Sequence, residues 1–325
     1  MVAGTDSRRR VLHGSALESP LMRPARALDA LNFFLADVQD GLGPYLAVYL
    51  LTMQHWDQAG TGMVLAIGGI AGLVAQAPAG ALVDAVRARR ALIAVAAVAV
   101  TADCLFTPIW PAFWPVAAMK VISGTAAAVF PPALAAITLG LVGHKAYTRR
   151  TGRNQVFNHA GNACAAAAAG GLSLWYGPIV VFALLGFMAV ASLVSVLMIP
   201  ADAIDNDLAR GLDHASDAGT PAAPSGLRVL LTCRPLLIFA ACVALFHFAN
   251  AAMLPLVGQK LAQQDLKQGT ALMSACIVGA QVVMVPMAAL AGRKADSWGR
   301  KPLFMAGFVM LGVRGALYTV SSDPH

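Results

Sequence analysis

The sequence predicts an all-α fold, a polytopic membrane helix bundle, and three observations support this prediction. Of the 325 residues, 58% are hydrophobic and only 12% are charged, whereas a soluble domain carries roughly 25% charged residues. Apolar runs of about twenty residues, the length that crosses the hydrocarbon core as a helix, recur along the chain. Lysine and arginine are concentrated in alternate connections between these runs.

Nine apolar runs are candidate membrane spans. The fourth run is long, and we expect Pro131 and Pro132 to bend it or to end its membrane part, because proline disrupts a helix interior. The polar segment 200–228 separates six runs from three, and its Asp, Gly and Pro content is typical of a linker. The nine runs are 27–52, 61–82, 91–108, 115–142, 154–173, 178–199, 235–257, 269–290 and 302–320.

The basic residues assign the two sides of the membrane. Nineteen of the 23 Lys and Arg residues lie before the first run, in alternate connections or in the linker, while the opposite connections hold only Lys260 and Lys267. Basic residues accumulate on the cytoplasmic side. We therefore expect a multi-pass protein of a bacterial-type inner (plasma) membrane with a cytoplasmic N-terminus. Its predicted parts are a cytoplasmic tail (1–26), a six-helix bundle (27–199), a cytoplasmic linker (200–228) and a partial three-helix bundle (229–325).

The sequence offers no motif for enzyme chemistry or for ATP-driven transport. It contains no P-loop, no dinucleotide-binding fingerprint, no HExxH and no nucleophile elbow. The five cysteines are scattered through apolar runs without a CxxC pair or a metal-ligand spacing, which favours small packing residues. We therefore expect no enzymatic activity, no cofactor, no metal site and no nucleic-acid partner.

Two similar loops indicate an internal repeat. Residues 80–90 read GALVDAVRARR, residues 292–301 read GRKADSWGRK, and each stretch follows the second run of its half. An offset of 212 aligns the first glycine and the aspartate of one loop with those of the other. Unrelated residue types that agree on one offset favour a duplicated unit.

The second of these loops carries a specific family resemblance. Its pattern, Gly-x-x-x-Asp-x-x-Gly-Arg-Lys between the second and third spans of a half, resembles the signature loop of the major facilitator superfamily. The first copy departs from it, with Ala85 where a basic residue is usual and Arg87 where the second glycine should be. The resemblance in topology covers residues 1–325. It implies a secondary transporter whose two halves rock about a midplane site, and it leaves the substrate open.

The family pattern has two six-span halves, whereas residue 320 of this sequence aligns with residue 108, at the end of a third span. We therefore expect a C-terminally truncated transporter of about nine spans, with a six-span N-terminal half and an incomplete C-terminal half. The alternative is a non-transporting fragment or membrane scaffold derived from a truncated transporter.

A pair of carboxylates interrupts the first run. Asp37 and Asp40 are three residues apart, on one helix face with Gly41 and Pro44. A charge at the centre of a span costs about 3 kcal/mol or more. Because desolvation and mutual repulsion favour protonation of one carboxylate, we expect a proton carrier that faces a wet cavity; pairing with neighbouring helices for packing is the alternative.

Other polar side chains lie at positions that suit the same cavity. His247 and Asn250 are three residues apart in the seventh run, where the histidine could exchange protons or be a satisfied core residue. A polar stripe begins the fifth run and could bind substrate or pack against another helix. The predicted substrate and proton pathway comprises Asp37, Gln39, Asp40, Gln155, Asn158, His159, Asn162, His247 and Asn250.

Two further charges lie inside neighbouring runs. Asp103 and Lys120 are each about five residues from the outer ends of the third and fourth runs, which predicts a buried ion pair with a structural or gating role. Arg314 lies at a similar depth in the ninth run, and its partner is expected in spans that the sequence does not hold.

The family resemblance implies that the two signature loops are gate elements. In them Asp84 and Asp296 would cap helix ends and hold basic residues, and pseudo-symmetry places Asp296 near Arg149, Arg150 or Arg153. Plain surface charge is the alternative for most basic residues. The predicted gating residues are Gly80, Asp84, Arg89, Arg90, Gly292, Asp296, Gly299, Arg300 and Lys301. The sequence thus predicts a secondary active transporter of a small organic solute or drug, coupled to protons, with lipid as its surroundings.

Overall fold

The computed structural model describes residues 22–40, 43–211, 232–251, 253 and 269–320. Within these residues every regular element is a helix, so the predicted all-α class is confirmed. The described α-helices are α1 (Met22–Asp40), α2 (Gly43–Thr52), α3 (Gln58–Ala85), α4 (Arg89–Phe106), α5 (Phe113–Ala127), α6 (Phe130–Tyr176), α7 (Val180–Leu197), α8 (Arg234–Ala251), α9 (Gly269–Trp298) and α10 (Arg300–Val320).

Parts of several sequence predictions fall outside the described residues. These parts are most of the predicted N-terminal tail (1–21), the second part of the linker (212–228), the end of the seventh run with Pro255, and the connection that holds Lys260 and Lys267. Gly41, between α1 and α2, also lies outside them.

The predicted first and fourth runs are each divided between two helices. The first run is shared by α1, which ends at Asp40, and α2, which begins at Gly43. In the fourth run, α5 ends at Ala127 and α6 begins at Phe130 with its proline pair in the first turn. A first-turn N–H has no intrahelical partner, so proline costs little there. The proline pair therefore interrupts the run, as predicted.

Helix α6 contains a sharp bend that separates the fourth predicted run from the fifth. At Gly143 the backbone has φ 68° and ψ 174°, a conformation that glycine adopts without a Cβ clash. Within the described residues four helical stretches are long and apolar enough to cross a membrane, and α8 adds a shorter apolar helix. The four are Gln58–Ala85, Phe113–Tyr176 (which joins α5 and α6), Val180–Leu197 and Ala271–Trp298.

Most of the first seven helices contribute buried side chains to one large apolar core, beside which Val64 of α3 and Val116 and Ala117 of α5 form a smaller cluster. Helix α1 packs along α6 and α7, α3 packs along α5, and α4 lies against both α5 and α7. Leu31, Phe130 and Leu185 are fully buried in this core. One face of α7 is instead exposed and apolar, as a surface in contact with lipid would be, and it consists of Phe187, Val190, Val194 and Leu197.

Glycines bring α3 and α5 into close contact. A Cβ added at Gly72 would lie 3.1 Å from the Gly124 carbonyl oxygen, and one added at Gly68 would lie 3.2 Å from the Lys120 Cβ. Small residues at such crossings let helix backbones approach closely in membranes. The glycine pair of α3 therefore serves packing, which is the interpretation that its spacing favours.

The first part of the predicted linker folds against the bundle. Ile204 and Ala209 are buried, and the Asp205 N–H donates to the Gly140 carbonyl at 3.0 Å. The Asp205 carboxylate accepts from the N–H groups of Asp207 and Leu208, which fixes the turn into the short 3-10 helix at Leu208–Arg210. Polar composition predicted a linker here. Its first residues pack against α6 because Ile204 and Ala209 are buried there.

Candidate functional site

Asp103 of α4 and Lys120 of α5 form a buried ion pair. The Lys120 Nζ lies 2.7 Å from an Asp103 carboxylate oxygen, and both side chains are almost fully inaccessible to solvent. The Thr107 hydroxyl donates to the Asp103 backbone carbonyl at 2.9 Å and lies near its carboxylate. The contact that the similar depths of the two charges predict is therefore present.

The predicted proton carriers of the first run lie at the end of α1. Asp37 is half-buried in the last turn of α1, and its charge acts on Tyr45 of α2 and on Cys104 of α4. Gln39 is half-buried as well, whereas the side chain of Asp40 is outside the described structure. Cys104 adjoins Asp103, so the Asp37 carboxylate belongs to the same electrostatic neighbourhood as the buried ion pair.

The polar residues of α8 meet α10. Asn250 is half-buried and its amide oxygen accepts a short hydrogen bond from the Arg314 guanidinium, which also contacts the Met253 sulfur at 2.9 Å. His247 is exposed, with its ring packed edge-on against Phe246. The partner of Arg314 was expected in spans that the sequence does not hold. In the structure Arg314 instead donates a hydrogen bond to Asn250.

Helices α6 and α9 form an antiparallel contact that we call the α6–α9 seam. At one end Gly152 lies against Gly292, so closely that a Cβ on Gly152 would be 2.5 Å from the Gly292 Cα. At the other end a Cβ on Gly170 would be 2.6 Å from the Ser274 Cβ. The two glycines of α6 are separated by about 27 Å of helix, so the seam is nearly as long as the hydrocarbon core is thick.

A hydrogen bond crosses this seam between the two contacts, and another joins α9 to α2 at the far end. His159 Nδ1 of α6 lies 2.8 Å from Gln281 Oε1 of α9, and the Tyr45 hydroxyl of α2 lies 3.0 Å from the Ser274 hydroxyl of α9. Of the predicted polar stripe, His159, Asn158 and Asn162 are half-buried and Gln155 is exposed.

The first signature loop is anchored by its arginines. Arg89 is 1% exposed and donates to the Asn206 amide oxygen at 3.0 Å, so the first part of the linker covers it. Burial lowers the pKa of this guanidinium, the nearby Arg210 adds to that effect, and the Asp84 carboxylate opposes it. Arg90 donates to the last carbonyls of α7, at Val196 and Leu197, where a cation complements the helix dipole.

The second signature loop makes its turn with glycine. Gly299 has φ 86°, a conformation that suits glycine, and it joins α9 directly to α10. The first loop holds Arg87 at the equivalent position and follows a different path, with Val86 extended. Of the remaining gating residues, Gly80 is half-buried, Asp84 and Lys301 are exposed, and Arg300 lies 3.8 Å from Asp296.

One sequence expectation about this loop is not met by a contact between side chains. Asp296 was expected to reach the start of the fifth run, but its side chain is 72% exposed and lies next to Arg300, one turn further on in the sequence. Arg150 and Arg153 instead contact Asp29 of α1, each at 2.7 Å. The carboxylate that these two arginines contact thus comes from α1, which packs along α6.

Asp29 is the charged centre that the sequence analysis missed. Its carboxylate accepts from Arg150 Nη2 and from both Nε and Nη2 of Arg153. Burial lowers the pKa of Arg150 and the Asp29 charge opposes that shift, whereas the hydrogen bond with Asp29 raises the pKa of Arg153. Both guanidinium groups therefore remain charged at physiological pH. A carboxylate three residues beyond Arg26, just inside the first run, was the signal that could have identified it.

Asn154 completes this arrangement on the α6 side. Its amide oxygen accepts from Arg150 Nε at 2.9 Å, and its amide nitrogen donates to the Thr138 hydroxyl at 2.8 Å. Through Asn154 the Asp29 contact is thereby connected to α6 residues on both sides of the Gly143 bend, Arg150 after it and Thr138 before it. In the described part of the chain no group of His, Cys, Asp and Glu side chains is arranged to hold a metal ion.

Comparison with known proteins gives two findings. The model of a family described as the Major Facilitator Superfamily matches residues 28–324. Two relatives from two strains of Mycobacterium tuberculosis, each named an uncharacterized MFS-type transporter, are 56% identical to this chain over 303 residues. The match covers 93% of this chain and 72% of each relative.

Proposed function

Because the chain belongs to the major facilitator superfamily, we propose that it is a secondary active transporter driven by a proton gradient. It is a multi-pass membrane protein of a transporter family. Its solute is a small organic molecule or drug, it works in an inner membrane with the N-terminus in the cytoplasm, and access to its site alternates between the two sides.

The half-buried Asp37 carries the proposal of proton coupling. A carboxylate in a membrane run is costly unless it faces water or a partner, and Asp37 lies where α1 ends and a new helix begins three residues after Asp40. The buried pair of Asp103 and Lys120 is close enough for its charges to act on Cys104 together with that of Asp37. Protonation of Asp37 would change the charge balance of this neighbourhood, which is what a coupling site requires.

The α6–α9 seam supports alternating access. It joins the six-span part of the chain to the part after the linker, and its contacts are made by glycines, a serine and the His159–Gln281 pair. Small residues let the two helix backbones approach closely without large side chains that interlock. His159 and Gln281 occupy the middle of this seam, which is where a midplane solute site of the family type would lie.

The proposal is tested by solute movement in vesicles that contain the purified chain. Three labelled probes cover the charge classes: ethidium as a cation, benzoate as an anion and glucose as a neutral solute. With an imposed pH gradient we expect one probe to move against its own gradient, together with a proton flux that an internal pH dye reports.

The coupling residue is tested in the same vesicles. Asp37→Asn should abolish gradient-driven movement, because the amide cannot carry a proton. Asp202→Asn makes the same chemical change on an exposed residue of the linker and should leave movement intact. Gradient-driven transport that survives Asp37→Asn, or the absence of any probe movement by the unmodified chain, would overturn the proposal.

A further inference from the structure

A pocket of about 370 Å³ opens between α1 and α6, next to the Asp29 carboxylate. Its lining has two distinct parts. One part is charged, with Arg26, Asp29 and Arg153, and the other is apolar, with Ala30 and three phenylalanines, Phe33, Phe34 and Phe157. A pocket that is charged at one end and apolar at the other suits an amphipathic ligand.

The charged part has an excess of positive charge. Arg26, Asp29 and Arg153 line the pocket, and both Arg150 and Arg153 contact the Asp29 carboxylate, so these two arginines outnumber the single negative charge that they share. The Asp29 carboxylate accepts hydrogen bonds from two nitrogens of the Arg153 guanidinium and so holds that group in place, while the Arg153 side chain remains 58% exposed. A guanidinium held in place and still accessible is well suited to bind a phosphate oxygen pair.

The apolar part lies beside the lipid-facing surface of the bundle. The Phe34 ring packs edge-on against Phe187 of α7, with 6.3 Å between the ring centroids. Phe187 begins the exposed apolar face of α7 described above. A chain that leaves the pocket along Phe34 would therefore enter the surface that lipid covers.

The pocket also opens away from the polar stripe of α6. At 3.6 residues per turn, Arg153 and Phe157 share one face of the helix, and Asn158 and Asn162 lie more than about 100° round from it. On α6 the pocket is thus on a different flank from these two amide side chains. The exit along Phe34 to the lipid-facing surface favours a ligand from the membrane over a solute in transit.

We propose that this pocket binds an acidic phospholipid, with the anionic headgroup held by Arg26 and Arg153 and an acyl chain on Phe33, Phe34 and Phe157. The pocket lies at the end of the bundle where the arginines accumulate, which is the level of the headgroups. Phosphate recognition by arginines between membrane helices is a known mode of acidic-lipid binding. The Phe157 ring, 5.4 Å from the Arg153 guanidinium carbon, supports the headgroup end of the site.

The test compares two short-chain lipids, dioctanoyl phosphatidylglycerol and dioctanoyl phosphatidylcholine, by native mass spectrometry of the full chain in detergent. We expect phosphatidylglycerol to bind at least about tenfold more tightly than phosphatidylcholine. Arg153→Gln and Arg26→Gln, tested separately, should each remove most of that preference. Arg149→Gln removes the same charge from an exposed neighbour that does not line the pocket, and should leave the preference unchanged.

Each contrary outcome has a clear meaning. Equal affinity for the two lipids, or an equal loss of preference in Arg149→Gln, would overturn the proposal, because binding would then reflect general charge attraction. Displacement of phosphatidylglycerol by excess inorganic phosphate would also overturn it, since the site would then be one for free phosphate without a lipid chain. Thermal unfolding of each variant verifies that the fold persists, and the readout does not depend on transport.

Discussion

Asp103 and Lys120 illustrate how this chain keeps charge inside the membrane. Each charge lies on a different helix, each is buried, and the two meet at 2.7 Å. The attraction between them offsets the large cost of taking two charges out of water, and that balance holds only while both are present. The pair thus ties α4 to α5 beside the neighbourhood of Asp37.

The first prediction concerns the loss of one member of this pair. Lys120→Met should lower the free energy of unfolding by about 3 to 5 kcal/mol, because Asp103 would be left as an uncompensated buried charge. The double variant Lys120→Met with Asp103→Asn should be more stable than Lys120→Met alone. Thermal unfolding of the purified protein in detergent measures both, and a double variant less stable than the single one would contradict the account.

The residue scale also shows what the sequence could and could not predict. The similar depths of Asp103 and Lys120 in neighbouring runs were enough to predict their contact, because consecutive spans are adjacent in the bundle. The contact of Asp29 with Arg150 and Arg153 was not predictable in this way, since it joins the first run to the fifth. Which of two possible acids reaches those arginines depends on how α1 and α9 pack on α6.

At the scale of helices, close approach depends on a few glycines. The α3–α5 contact places Gly124 against Gly68 and Gly72, and the α6–α9 seam places Gly152 against Gly292. Without a hydrophobic force between helices in lipid, such packing supplies much of the stabilisation. The Gly68-x-x-x-Gly72 spacing favours a close helix approach without indicating the partner helix, whereas the Gly152–Gly292 contact involves single glycines with no comparable spacing.

The second prediction tests the α3–α5 contact. Gly124→Ala should destabilise the protein by about 1 to 3 kcal/mol, because its Cβ would enter the space that the Gly68 backbone occupies. Gly69→Ala is the matched control: a Cβ there meets no heavy atom within 4 Å, and alanine is the better helix former by up to about 1 kcal/mol. Equal unfolding temperatures for the two variants would mean that the helices are not in close contact.

The boundaries of the helices were predictable only where proline marked them. Pro131 and Pro132 indicated the break between α5 and α6, and the apolar runs indicated the helices on either side. The polar connection between the fourth and fifth runs indicated a change of direction there, but not that the helix would continue on both sides of a single bend at Gly143. The packed first part of the linker was also missed, since its buried apolar residues are isolated among polar ones.

At the scale of the whole molecule, the part of the chain after the linker meets the first seven helices mainly through α9. Helix α9 packs along α6 over the length of the seam, and it also contacts α2 through Ser274 and Tyr45. Helices α8 and α10 contact each other through aromatic rings, among them Phe246 and Phe308. If access alternates, the α6–α9 seam is the surface along which the two parts change their relative tilt.

The most direct test of this account is a pair of distance measurements along the seam by pulsed electron spin resonance. Spin labels would replace Arg149 and Arg293 near the Gly152–Gly292 end, and Trp175 and Ala275 near the Ser274 end, in a variant without the native cysteines. On a change from alkaline to acidic buffer, the account predicts that one distance lengthens while the other shortens, and that Asp37→Asn abolishes both changes. If both distances stay constant with pH in the labelled protein that retains Asp37, the result contradicts proton-coupled alternating access.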